Sequence, residues 1–185
     1  MNRQSIAGIS SLLVSQPYIS DVGEWHGERV DFNLDRFRLF CDDWQNRNLA
    51  DSHLDAFNLP RSERDSAWLE ADPVPRWRTL VSRSLRYHGN YSFWDEMPDE
   101  DLDGAAFVGF PREHELFCEV FGRSLPLAET PTVLDVAGLV AGCGLLLCNQ
   151  NLCRSVAEGL KAPVVVEEYR VAPSTRFDRP GARYV

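Results

Sequence analysis

Residues 144–166 read GLLLCNQNLCRSVAEGLKAPVVV, and the order of patterns inside this stretch decides the fold. Gly144 to Cys148 is a bare apolar run, as expected of a strand covered on both faces. It stops at three amide side chains, Asn149, Gln150 and Asn151. Leu152, Val156, Ala157 and Leu160 then recur at helical spacing, and Val164 to Val166 begins a second strand. Two strands joined by one helix run parallel, with the helix crossing over between them.

The same alternation extends upstream. Val133, Val136, Ala137, Val140 and Ala141 form one buried helix face, closed by Gly142. Thr130-Pro131 reads as its start, with Thr130 as N-cap and Pro131 in the first turn. Pro111 to Phe121 is a further helix, stopped by Gly122. Trp77 to Ser82 and Ala105 to Gly109 read as strands, and Leu125 to Leu127 as a short one. The expected class is α/β, with a Rossmann-like parallel sheet and flanking helices over 73–185. Upstream, Ser5 to Ser15 and Asn48 to Phe57 read as helices, and Tyr18 to Trp25 and Arg29 to Leu34 as strands. The segment ADPVPRWR at 71–78 reads as a linker, which leaves 1–72 as a partial N-terminal α/β segment.

With 44% hydrophobic residues in 185, the chain buries a core and is not a disordered segment. A net charge of -9 argues against a duplex nucleic-acid binder, while leaving room for a local basic pocket. No apolar run approaches the about 20 residues of a membrane span, and the N-terminus lacks a signal-peptide core, so a cytoplasmic location follows by default. The five cysteines fit neither a zinc pattern nor a disulfide framework and read as buried free thiols. The acidic run from Asp95 to Asp103 reads as a solvated loop, and no metal site is expected. His114 reads as exposed in a charged helical turn.

Two places have the chemistry of a ligand site. At the strand–helix junction, the first-turn N–H groups and helix dipole favour an anion, and Asn149, Gln150 and Asn151 add uncharged donors and acceptors. That combination suits a diphosphate or a sugar hydroxyl; the plain alternative is that an Asn caps the helix. The second place is SRSLRYH at 82–88, after a strand, where Arg83, Ser84, Arg86 and Tyr87 form a candidate anion cradle. Asn90, Tyr91, Phe93 and Trp94 follow as an aromatic wall or as core. Glu113, at a helix start, is placed to reach a ribose. The chain has no P-loop, G-x-G-x-x-G, G-x-S-x-G or HExxH pattern, and the reading calls for no cofactor. Asp21 and Asp31 are placeholders for a base.

The segments FVGFPREHELFCEVFG (107–122) and TPTVLDVAGLVAGCGLLLCNQNLCRSVAEGLKAPVVVEEY (130–169) resemble the C-terminal half of bacterial heptosyltransferase-like glycosyltransferases of GT-B architecture. The chain resembles more closely a set of bacterial and phage relatives with a strand, GNQS, a helix and AEGLK-P. Upstream blocks of that set appear here as LLVSQPYI (12–19), DFNLDRFR (31–38) and RSLRY (83–87). The resemblance implies a C-terminal domain that binds a nucleotide-diphosphate sugar. Where the transferases carry Asp-(Ser/Thr)-Gly-x-x-His, this chain has Gln150, Asn151, Leu152 and Ser155. They also draw an acidic catalytic group from the start of an N-terminal domain that this chain is expected to lack. The expectation is a glycosyltransferase-like protein, N-terminally short and inactive alone. The other reading is a non-enzymatic nucleotide- or sugar-binding module of a bacterial or phage assembly. The oligomeric state stays open.

Overall fold

Short runs of Leu, Val and Cys with few side chains to hydrate form strands only where both faces are covered. In the computed structural model, which describes residues 3–39, 43, 47–89 and 91–185, three such runs and two shorter segments pair as five parallel strands. Cys41 and Asn90 lie outside the described residues. The strands are β1 (Thr79–Ser82), β2 (Ala106–Phe107), β3 (Leu145–Asn149), β4 (Val164–Glu167) and β5 (Ala182–Tyr184), in the order β2-β1-β3-β4-β5. Leu80, Leu146, Cys148, Val164 and Val166 point to one face, and Val81, Leu147 and Val165 to the other. Each such Leu or Val contributes about 1.5–3 kcal/mol when fully buried.

Helices lie on both faces. On the first are α1 (Arg3–Val14), α6 (Val133–Gly142) and α7 (Leu152–Leu160), through Leu12, Val136, Val140 and Val156. On the second are α3 (Tyr91–Asp95), α4 (Asp99–Leu102) and α5 (Pro111–Phe121), through Trp94, Leu102, Phe117 and Phe121. The remaining helix, α2 (Leu49–Ala56), is capped by Asn48, whose side chain accepts from Ala50 and Asp51. The chain is thus an α/β protein with a Rossmann-like, doubly wound parallel sheet.

Several local expectations change. The stretches 18–25 and 29–34 are irregular and outward-facing, with Trp25 69% and Phe32 74% exposed. Alternating apolar residues make a strand only beside another strand, and here the polar groups bond locally instead. Trp25 Nε1 donates to Glu28 O, and His26 N to a Glu28 carboxylate oxygen. Helix α6 is capped by Thr132, not Thr130: Thr132 Oγ1 accepts from Asp135 N, and Asp135 Oδ2 accepts from Thr132 N at 2.8 Å. The acidic run at 95–103 is exposed as read, yet it folds into α4 because Leu102 buries beneath it. His114 is partly buried, bonding Leu125 O at 2.7 Å.

Residues 66–75 run as a strap across α6 and α7. Trp68 N and Leu69 N both donate to Gly159 O, and Val74 N donates to Gly138 O. Gln16, 1% exposed, fastens the end of α1 to this strap. Its amide accepts from Glu70 N at 2.8 Å and donates to Glu70 O at 3.1 Å.

Candidate functional site

From β1 the chain steps outward to β2, then returns through α6 to lay β3 on the opposite side of β1. A parallel sheet opens a crevice where strand order reverses in this way, outside the carboxyl ends of the two strands. Those ends are Ser82 and Asn149. A cleft of about 640 Å³ lies there, lined by Ser82, Ser84, Arg86, Glu113, Thr132 and Asn151 among others.

The amides at the end of β3 hold this crevice in shape. Asn149, fully buried, accepts from Ser84 N at 3.0 Å and donates to Ser84 O at 3.1 Å and Arg86 O at 2.6 Å. Asn151 caps α7 by accepting from Arg154 N, and its amide nitrogen donates to Ser82 Oγ at 3.0 Å. Gln150 faces the other way, donating to Ala172 O and Thr175 Oγ1 in the β4–β5 connection.

Arg83 lies inside the fold. Its guanidinium makes a forked pair with the buried Glu167 carboxylate, Nε to Oε2 at 2.7 Å and a second bond at 3.1 Å. Trp94 Nε1 and Gly89 N also donate to that carboxylate, and the Tyr91 and Phe121 rings stack on the arginine. Burial raises the Glu167 pKa, but the bonds from Arg83, Trp94 and Gly89 and the Arg83 charge outweigh it and leave the pKa lowered. The pair joins the ends of β1 and β4.

The first turns of three helices line the cleft, and they are not equivalent. At α5, Glu113 accepts from Phe110 N at 3.0 Å, so that terminus holds its own carboxylate. At α6, Asp135 does the same for Thr132. Helix α7 has no acidic residue of its own in its first turn, and its third residue is the buried Arg154. The nearest carboxylate charge felt there is that of Glu113 from α5, which acts on Cys153, and Arg86 lines the same cleft. Among the described residues the Arg86 side chain has no hydrogen bond and no carboxylate partner; its guanidinium lies 5.4 Å from the Tyr87 ring centre.

Of the residues singled out in the sequence, Ser84, Arg86, Glu113 and Asn151 line the cleft together. Arg83, Tyr87, Asn149 and Gln150 are not among its lining residues. Ser82, the first residue of the SRSLRYH run, lines the cleft too. Sequence reasoning missed Phe110 and the Thr130-Pro131-Thr132 run. That last run was legible only as a helix start, and a start at a strand's carboxyl edge is the signal that could have placed it at the site. Burial pushes the Cys143 and Cys153 thiols up to about 11 and Cys148 well above its ordinary value, so these cysteines stay protonated. Among the described residues no group of three His, Cys, Asp or Glu could hold a metal ion, and no helix is long and apolar enough to cross a membrane.

With the geometry in hand, comparison with known proteins gives one likeness of fold. A crystal structure described as the glycosyl transferase family 9 from Veillonella parvula DSM 2008 is similar at 16% sequence identity, over 77% of this chain, with a TM-score of 0.45. The chain spans 50% of the length of that structure. No family model and no curated protein matches it.

Proposed function

We propose that the chain is a glycosyltransferase-like protein that binds a nucleotide-diphosphate sugar in the cleft between β1 and β3. One observation carries the reading: the one of these three helix starts without a carboxylate of its own, α7, opens on the cleft that Arg86 also lines, an arginine with no carboxylate partner among the described residues. A diphosphate fits that pair of positive ends, with first-turn N–H groups on one side and a guanidinium on the other. Ser84 and Thr132 lie close by for hydroxyl contacts. The resemblance of 107–122 and 130–169 to heptosyltransferase-like enzymes supports the same ligand class.

An inverting transferase also needs a general base on the acceptor side. Glu113, the carboxylate in the cleft lining, is bonded to Phe110 N. In this proposal the chain supplies the donor half of such a site and does not transfer sugar alone. Titration calorimetry against a panel of nucleotide-diphosphate sugars tests it. Binding is expected, and Arg86→Ala weakens it by about 1.5–3 kcal/mol, the scale of hydrogen bonds to charged groups, without lowering the melting temperature. A folded sample that binds no member of the panel rejects the reading. Transfer of the sugar to an acceptor by the chain alone rejects the donor-half form of it.

A further inference from the structure

Between Ser82 and Gly89 the chain turns most of its polar groups inward and three side chains outward. Asn149 holds the backbone of Ser84 and Arg86, and His88 Nε2 bonds Ser84 O at 2.8 Å. Gly89 packs so closely that a Cβ there would sit 2.1 Å from Glu168 O. Leu85, Arg86 and Tyr87 are left exposed on this rigid turn. Tyr87 has φ of 59°, in the left-handed region, and is 43% exposed. A turn residue chosen for its backbone alone would be Gly or Asn, since a bulky aromatic pays a steric penalty there. The Tyr87 ring stands at the surface beside Arg86, which lines the cleft. Tyr169 supports it with ring centroids 5.7 Å apart, and Arg86 lies over it.

We propose that Tyr87 determines specificity: a ring carried on the diphosphate ligand stacks on the Tyr87 surface that Arg86 covers in the free protein. The proposal rests on the reading that Arg86 grips the ligand's anion. A charge-assisted hydrogen bond to phosphate is stronger than an exposed cation–π contact, so ligand entry draws the guanidinium off the tyrosine. The shared chemistry is a six-membered ring with an open face, either the nucleobase on one side of the diphosphate or the sugar on the other.

Titration calorimetry of wild type, Tyr87→Gly and Tyr87→Phe against a nucleoside diphosphate, a sugar 1-phosphate and inorganic pyrophosphate tests this, with melting curves alongside. Glycine accepts the left-handed backbone, so Tyr87→Gly is expected to melt no lower than wild type. It leaves pyrophosphate affinity unchanged and weakens a ring-bearing probe by about ten-fold or more, as loss of aromatic stacking does. Tyr87→Phe keeps wild-type affinity. Weakening of the nucleoside diphosphate assigns the base to Tyr87, and weakening of the sugar phosphate assigns the sugar. Equal weakening of pyrophosphate, or no weakening of either ring-bearing probe, overturns the proposal and leaves the cleft reading standing. A folded wild type that binds none of the three probes overturns both.

Discussion

Asn149 shows how a residue with ligand-binding chemistry can serve the fold instead. A strand that ends at a crevice leaves the next loop's N–H and C=O groups without a sheet partner. One amide side chain can accept from the first and donate to the second, and Asn149 does both for Ser84. Its residue type was legible from the sequence as a diphosphate grip or a cap, but its direction was not. Composition does not say whether an amide points into a cleft or back into the protein. The same holds for Arg83, whose buried partner lies 84 positions away. Asn149→Ala removes three bonds from the part-buried backbone of Ser84 and Arg86, each worth about 0.5–1.5 kcal/mol, and leaves Ser84 N without a partner. The expected loss is about 3 kcal/mol, seen as a melting temperature lowered by roughly 6–12 °C in a chain of this size. If Asn149 mattered only to the ligand, the melting temperature would not move.

At the scale of elements, the parts with a long enough period were readable. Helix α5 covers the predicted 111–121, and β3, α7 and β4 fall within a residue of the expected bounds. Helices α3 and α4, of five and four residues, complete too few turns to show a periodicity, and β5 has three residues with no fully buried one. The sequence blocks at 12–19, 31–38 and 157–161 have structural roles. Gln16 fastens α1 to the strap, Phe37 buries against His53, and Glu158 holds Arg179 at 2.8 Å. The strap constrains α6 most closely at Gly142, where a Cβ would meet Val74 C at 2.3 Å and Val74 O at 2.4 Å. Alanine in a helix gains about 1 kcal/mol over glycine, but overpacking costs about 1–3 kcal/mol or more. The neighbours here are backbone atoms, tied by the Val74 N to Gly138 O bond, so the steric cost wins. Gly142→Ala is expected to destabilise the fold by about 2 kcal/mol in denaturant melts. A neutral or stabilising result would mean that the strap yields freely.

Over the whole molecule, 28 acidic against 19 basic residues give a surface of carboxylates, most of them hydrated, which tie little together. Glu167 is different, because with Arg83 it joins β1 to β4 across β3, the central strand. Its pKa is lowered in the fold, against an ordinary value of 4.5 that it regains on unfolding. A depressed carboxylate contributes stability in full above its unfolded pKa, and that stability disappears as pH falls through the folded one. The Glu167 contribution is therefore constant from neutral pH down to about 5 and is lost progressively below about 4.5. Glu167→Gln removes the charge and leaves Arg83 buried without its ion partner, which costs about 3–5 kcal/mol at neutral pH. The variant starts lower and has the shallower decline in acid, because it no longer has this proton to take up. Melting curves of both proteins across pH 7 to 3 check the argument. If the two declines run parallel, the acid sensitivity belongs to other carboxylates, and the Arg83–Glu167 pair is not what holds the crevice strands together at neutral pH.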